Sequence, residues 1–279
     1  MKVYVRSTGE YKTIEQYGAG KLAFLYGNAF GRVLLKLAIS PVTSRIYGKL
    51  KSTRSSAKKI PEFVEEHGID MSEFEDREYT SFNDFFSRKL KPGKRPIGSG
   101  LIAPADSKLL VYKIDSETKL QIKGRDYTVS EITGRENNDF SNGLALVFRL
   151  CMDDCHRYCF PDNGTVTERF TIKGKLHTVS PLSNGHKIYQ ENTRQVSFLE
   201  TENYGKICFI EVVAILVGKI VDNGLVTFRK GDEKGYFEPG GSTIVMLVNN
   251  VAIDEDIMAQ SGQGIETEVK MGERIGERC

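Results

Sequence analysis

The chain has 279 residues, a formal net charge of +2 and an ordinary globular composition, which argues against a disordered or low-complexity protein. So small a charge balance singles out no class of partner. Five cysteines (Cys151, Cys155, Cys159, Cys208 and Cys279) are odd in number and lack disulfide-scaffold spacing, so a reducing cytosolic setting is expected.

In chain order, the opening Met1-Lys2-Val3-Tyr4-Val5-Arg6 lacks an apolar h-region and a small-residue cleavage site, so no signal peptide is expected. Between Tyr17 and Pro61 there is no acidic residue, yet nine basic ones occur, from Lys21 to Lys59. Such a block suits an anionic surface. Within it Leu22, Leu25, Tyr26, Ala29, Phe30, Val33, Leu34, Leu37 and Ala38 recur at helical spacing, opposite Asn28, Arg32 and Lys36. That predicts an amphipathic interfacial helix ended by Pro41; packing on the protein's own surface fits the periodicity equally well. Arg32 and Lys36 interrupt every apolar run long enough to span a bilayer, so no transmembrane helix is expected.

Pro61 to Gly68 has a proline start, early acids and a glycine stop, which predicts a second helix. Ser81 with Asp84 opens a short third one carrying Phe82, Phe85 and Phe86, read as core packing. Lys91 to Gly100 is rich in breakers and forms the expected boundary. Beyond it, strand-like runs alternate with glycine turns: 108–114, 143–150, 208–221 (two strands bent near Gly218), 225–229 and 242–248. The fold expected is α+β: a helical membrane-docking region over 1–90, then a β-rich catalytic domain over 91–279.

The last of these runs follows Pro239-Gly240-Gly241-Ser242-Thr243. Glycines permit positive φ and leave Ser242 little shielded, so its hydroxyl can reach the carbonyl carbon of the preceding peptide, at Gly241. That suits a chain that cuts itself; alone, a Gly-Ser turn more often only connects elements.

Other segments strengthen the self-cutting reading. Ser81-Phe82-Asn83-Asp84-Phe85-Phe86-Ser87-Arg88-Lys89-Leu90-Lys91-Pro92-Gly93, Ala103-Pro104-Ala105-Asp106-Ser107, Asp154-Cys155-His156-Arg157, His177-Thr178-Val179-Ser180-Pro181 and Gly241-Ser242-Thr243 occur in the order of motifs in the phosphatidylserine decarboxylase family. From about residue 75 to its end the chain resembles that family. The resemblance implies Ser242 as nucleophile, His156 as base and Asp106 to fix the imidazole tautomer. It further implies cleavage between Gly241 and Ser242 into a β chain (1–241) and an α chain (242–279) held together non-covalently. Ser242 becomes a pyruvoyl group, which takes the part that pyridoxal phosphate plays elsewhere, and neither that cofactor nor a metal is expected. The reaction implied turns phosphatidylserine into phosphatidylethanolamine and CO2. A related serine-headgroup lipid or a free amino acid is the alternative substrate.

The implied setting is the cytoplasmic face of the cell membrane, peripherally attached, with a homodimer left open and no nucleic acid partner. Arg157, Arg194, Asn192 and His177 are candidates for substrate binding. The family pattern has Tyr before the His156 position and a second His three residues after it; here these are Cys155 and Cys159, so any role of that second histidine falls to His156 or to His177. Two rival classes lack catalysis. Cys151, Cys155, His156 and Cys159 could hold zinc or an iron–sulfur cluster if the cysteines shared a helix face, although the spacing matches no common framework. A basic membrane- or nucleic-acid-binding module is the other, but helix-turn-helix, RNP and finger signatures are missing.

Overall fold

The computed structural model describes residues 1–14, 20, 24, 41–136, 139–176, 187–213, 219–240 and 242–279. The expected amphipathic helix, His177 and Gly241 lie outside the described residues.

Strand dominates. A ten-stranded sheet runs in the order β13-β9-β10-β11-β15-β7-β4-β17-β1-β2. Its members are β1 (Lys2–Val5), β2 (Glu10–Thr13), β4 (Ser107–Lys113), β7 (Leu144–Leu150), β9 (Gly164–Ile172), β10 (Arg194–Thr201), β11 (Gly205–Val213), β13 (Thr227–Phe228), β15 (Ser242–Val248) and β17 (Glu266–Val269). Continuous apolar runs make the central strands, as expected for strands covered on both faces. All seven residues of β15 are buried. Smaller sheets are β12 (Ile220–Asp222) with β14 (Glu233–Phe237) and β8 (Arg157–Cys159), β16 (Val251–Ile253) with β18 (Arg274–Arg278) and β3 (Leu101–Ile102), and the hairpin β5 (Lys119–Ile122) with β6 (Arg125–Thr128).

The start of the chain corrects one expectation. Residues 1–90 do not begin as a helical region, because β1 pairs in parallel with β17 and antiparallel with β2, placing the first fourteen residues in and beside the main sheet. Arg6 pins this hairpin to the far end of the sequence, through Asp254 (3.0 Å), Asp256 (2.7 Å), Glu273 (2.9 Å) and the carbonyl of Arg274 (2.7 Å).

Helices follow local signals. Pro41 opens a helix, α1 (Pro41–Lys51), instead of merely ending one, since a proline in the first turn gives up no intrahelical hydrogen bond. The next, α2 (Ile60–His67), stops at Gly68, whose φ of 59° is the left-handed cap that glycine tolerates. In α3 (Phe82–Phe86) the Ser81 hydroxyl accepts from the Asp84 amide at 3.2 Å, so the predicted cap is present. Phe63, Phe82, Phe85 and Phe86 form a separate core cluster. The chain on the two sides of the expected 90/91 boundary is tied together: Arg88 Nη2 donates to the carbonyl of Asp153 at 2.8 Å, and Arg95 Nη2 donates to Glu73 at 2.9 Å.

Cross-strand register places Ser242 opposite Val213 on β11 and Leu150 on β7. Alternation then puts Ser242, Ile244, Met246, Phe209 and Glu211 on one face of the sheet. The small β12-β14-β8 sheet covers that face. Tyr158 lies 6.1 Å from Phe209 and 5.0 Å from Phe237, ring to ring, and buried Lys234 pairs with buried Glu211. Ser242 is thus enclosed between two layers.

Candidate functional site

Ser242 begins β15 after a turn in which Gly240 holds φ at 141°, a conformation that L side chains rarely adopt. The Ser242 side chain is fully buried, and its Oγ has no hydrogen-bond partner among the described residues. Ser197, Thr243 and Thr267 have unpaired buried hydroxyls among the described residues as well, so what sets Ser242 apart is its place directly after the Gly240 turn.

His156 reaches the same region from two directions. Leu150, paired with Ser242, leads through the turn 151–155 to His156. From the other side, the Phe237 amide donates to the His156 carbonyl at 3.0 Å, and the chain then runs directly into Gly240 and Ser242. The imidazole is fully buried and lies 4.1 Å from the ring of Phe86. Its Nδ1 is 3.0 Å from the carbonyl of Asp154. A carbonyl only accepts, so Nδ1 carries the proton and Nε2 keeps its lone pair. Nε2, like Ser242 Oγ, has no partner among the described residues. Burial pushes the imidazole down to about 4, assisted by nearby Arg88 and opposed by the Asp154 carbonyl. The ring is therefore neutral at pH 7 and able to take a proton.

Asp154 itself is held rigidly. Burial would raise its carboxyl, but Lys108 at 3.0 Å and the Cys151 amide at 2.8 Å override that and hold it at about 2. Lys108 continues to Glu268 at 3.1 Å, on β17.

Asp106 does not make the expected bond to His156. Its buried carboxylate accepts from Arg95 Nε (2.9 Å) and Nη2 (2.6 Å) and from the Met271 amide (2.8 Å), and Arg95 also grips Glu73. In this structure the Asp154 carbonyl orients the imidazole, a backbone contact that no sequence motif announces. Asp106→Asn is expected to lower stability by about 2 kcal/mol, because a mostly buried guanidinium loses one of its two anions, and to slow any self-cleavage with it. Slowed cleavage at an unchanged melting temperature would instead put the carboxylate on the imidazole during reaction.

The structure engages three of the substrate-binding candidates elsewhere. Arg157 donates to Glu233 at 2.8 Å and to the Ser87 carbonyl at 2.9 Å. Arg194 donates to the carbonyls of Ile132, Gln190, Asn192 and Glu131. Asn192 Nδ2 donates to the Val213 carbonyl at 2.9 Å. These contacts tie loops to the sheet.

The metal alternative loses its geometric basis. Residues 151–159 form a turn and strand β8, so the cysteines do not share a helix face. The one group of possible ligand atoms that converges among the described residues is Cys151, Asp153 and Asp154, and Asp154 is already paired with Lys108. Burial raises the Cys151 and Cys155 thiols to about 11 and Cys159 to about 12, far from the thiolate that binds metal.

Comparison with known proteins adds an independent line. The family model described as phosphatidylserine decarboxylase matches residues 82–277. A protein of Clostridium acetobutylicum named phosphatidylserine decarboxylase proenzyme 2 is 50% identical over 99% of this chain and 98% of its own length. Proteins named phosphatidylserine decarboxylase proenzyme are 39% identical in Clostridium botulinum (100% of this chain, 99% of that protein) and 40% identical in Ruminiclostridium cellulolyticum (99% and 97%).

Proposed function

Because this chain belongs to the phosphatidylserine decarboxylase family, we propose that it cuts itself between Gly241 and Ser242 and then converts phosphatidylserine into phosphatidylethanolamine and CO2. The observation that carries this reading is the pair of unpartnered buried atoms, Ser242 Oγ and His156 Nε2, with the imidazole neutral.

In the proposed sequence His156 Nε2 takes the hydroxyl proton as Ser242 Oγ attacks the carbonyl carbon of Gly241. The C–N bond breaks and the Ser242 nitrogen recovers a proton, leaving an ester between Gly241 and the Ser242 side chain. Loss of the Ser242 Cα proton expels the Gly241 carboxylate and leaves dehydroalanine. Water then releases ammonia and leaves a pyruvoyl group at the new terminus.

The surroundings suit that group. Ser242 sits at the head of a fully buried strand, and the chain that leads into it is hydrogen-bonded to the backbone of the neutral His156. When formed, the pyruvoyl group supplies the electron sink for the pair left by CO2. His156 is the proposed relay, its Nε2 first taking a proton from solvent and then passing it to the resulting carbanion.

Strand order supports a non-covalent partnership of the two fragments. Residues 242–279 supply β15, between β11 and β7, and β17, between β4 and β1, so each lies inside the sheet. Arg6 and the Asp106–Met271 contact add cross-ties. The fragments are expected to co-elute in native gel filtration and to separate only in denaturant.

Attachment to a membrane follows from the substrate, whose acyl chains stay in the bilayer while its headgroup reacts. No helix among the described residues is long and apolar enough to cross one. The docking region proposed is the acid-free block after β2, narrower than residues 1–90, meeting the cytoplasmic face peripherally. On α1, Ile46 and Leu50 are 57% and 62% exposed, beside Lys49 and Lys51. That combination suits an anionic interface. Incubation with phosphatidylserine vesicles, scored for CO2 release and phosphatidylethanolamine, tests the overall reading; cleaved protein with no turnover would overturn the substrate assignment.

A further inference from the structure

Arg88 is fully buried, yet its guanidinium is only partly engaged. Nη2 donates to the carbonyls of Asp153 (2.8 Å) and Asp154 (3.3 Å), and the group lies against the rings of Phe74 (4.5 Å) and Phe85 (4.9 Å). Nε and Nη1 have no partner among the described residues, and no carboxylate there forms an ion pair with it. The other deeply buried arginines are satisfied: Arg149 sits on Glu266, and Arg194 on four carbonyls. A buried cation without an anion costs several kcal/mol, and arginine does not escape by losing its proton.

Its location adds the second observation. The Asp154 carbonyl is shared, with Arg88 Nη2 at 3.3 Å and His156 Nδ1 at 3.0 Å on the same oxygen. One oxygen atom therefore separates the idle guanidinium from the imidazole. Phe86, two residues before Arg88, packs against that imidazole with its ring tilted by 43°.

We propose that Arg88 binds the phosphodiester of the substrate headgroup, donating from its unpartnered Nη1 to a non-bridging oxygen. This rests on the reading given under Proposed function. The guanidinium keeps its charge and offers a free N–H there, and a charge-assisted hydrogen bond to a phosphate oxygen answers both. The carboxylate is the poorer match. A cation gripping it would stabilise the ground state more than the departing CO2, whereas the phosphodiester keeps its charge throughout. Serine chemistry also fits the spacing, since the phosphorus is only four bonds from the reacting amine.

The test uses the self-cleaved full chain, phosphatidylserine in detergent micelles, and glycerophosphoethanolamine as a competitive inhibitor that has the phosphodiester but no carboxylate. Arg88→Gln is expected to raise KM and the inhibition constant together, each by about 30-fold, the scale of one lost charge-assisted hydrogen bond. The kcat should stay within about threefold of wild type. A raised KM with an unchanged inhibition constant would assign Arg88 to the carboxylate, and unchanged values for both would make it purely structural; either result overturns the proposal. If Arg88→Gln fails to fold or cleave, Arg88→Lys is scored the same way. It keeps the charge but not the planar guanidinium's placed donor, so an intermediate rise in both constants is expected, and wild-type constants would refute the assignment. A wild-type chain that neither cleaves nor releases CO2 would sink the family reading instead, a separate outcome.

Discussion

Ser242→Ala is expected to run as one intact chain on denaturing electrophoresis, where the wild-type protein gives a large fragment of residues 1–241 and a small one of 242–279. The expected effect is total, because the hydroxyl oxygen is itself the attacking atom and alanine offers no substitute. Misfolding does not explain such a result. The Oγ is fully buried without a partner, so removing it forfeits no hydrogen bond among the described residues and relieves the cost of an unsatisfied polar atom. The β15 backbone pairing to Val213 and Leu150 does not involve the side chain. The melting temperature of the variant should therefore equal or slightly exceed that of the uncleaved wild type. A variant that still gives two fragments would place the nucleophile elsewhere.

His156→Gln carries the next largest effect. Glutamine can keep a donor near the Asp154 carbonyl, but it has no basic lone pair at the Nε2 position. Self-cleavage should slow by about 10²–10⁴-fold, the range for loss of a positioned general base. The pH profile makes the claim sharper. Burial holds the wild-type imidazole down at about 4. The wild-type cleavage rate should then stay flat as pH falls from 8 to about 5 and drop only near pH 4; an exposed histidine would lose activity from about 6.5. Stability follows the same depressed value. Between about 6.5 and 4 the unfolded chain binds a proton that the folded chain refuses, so stability declines as pH is lowered through that window. The total is about 3 kcal/mol from this one group. Denaturant midpoints measured from pH 8 to pH 4 check the sign, and a midpoint that rises on acidification would contradict it.

Legibility in the sequence tracked locality. The Ser81 cap, the Gly68 stop and strands β7 and β15 are written in adjacent residues, and each is where the pattern put it. The hairpin β1–β2 was not readable, because its β2 residues are exposed and polar and its partner, β17, lies more than 250 residues away. β17 is disguised as well: Glu266 and Glu268 look like surface residues, yet they answer Arg149 and Lys108 inside the fold. Pro41 is ambiguous in sequence, because proline breaks helix interiors yet serves as well to begin a helix, as it does here. At the site the pattern is the same. Ser242 and His156 stand out by residue type and motif. The contacts that hold the imidazole come from a backbone carbonyl and from side chains remote in sequence, including Phe86. The charge of Arg157 and Arg194 is visible in sequence, whereas the partners that occupy them are not.

Burial of the Ser242 hydroxyl and of a neutral His156 imidazole means little unless the serine ceases to be a serine. Intact mass spectrometry of the small fragment reads this directly. The expected species is residues 242–279 lighter by one ammonia than the plain hydrolysis product, with a terminus closed to Edman chemistry and reactive toward a hydrazine. A fragment of full hydrolytic mass with a free serine amine, or a chain of 279 residues left whole, would contradict it.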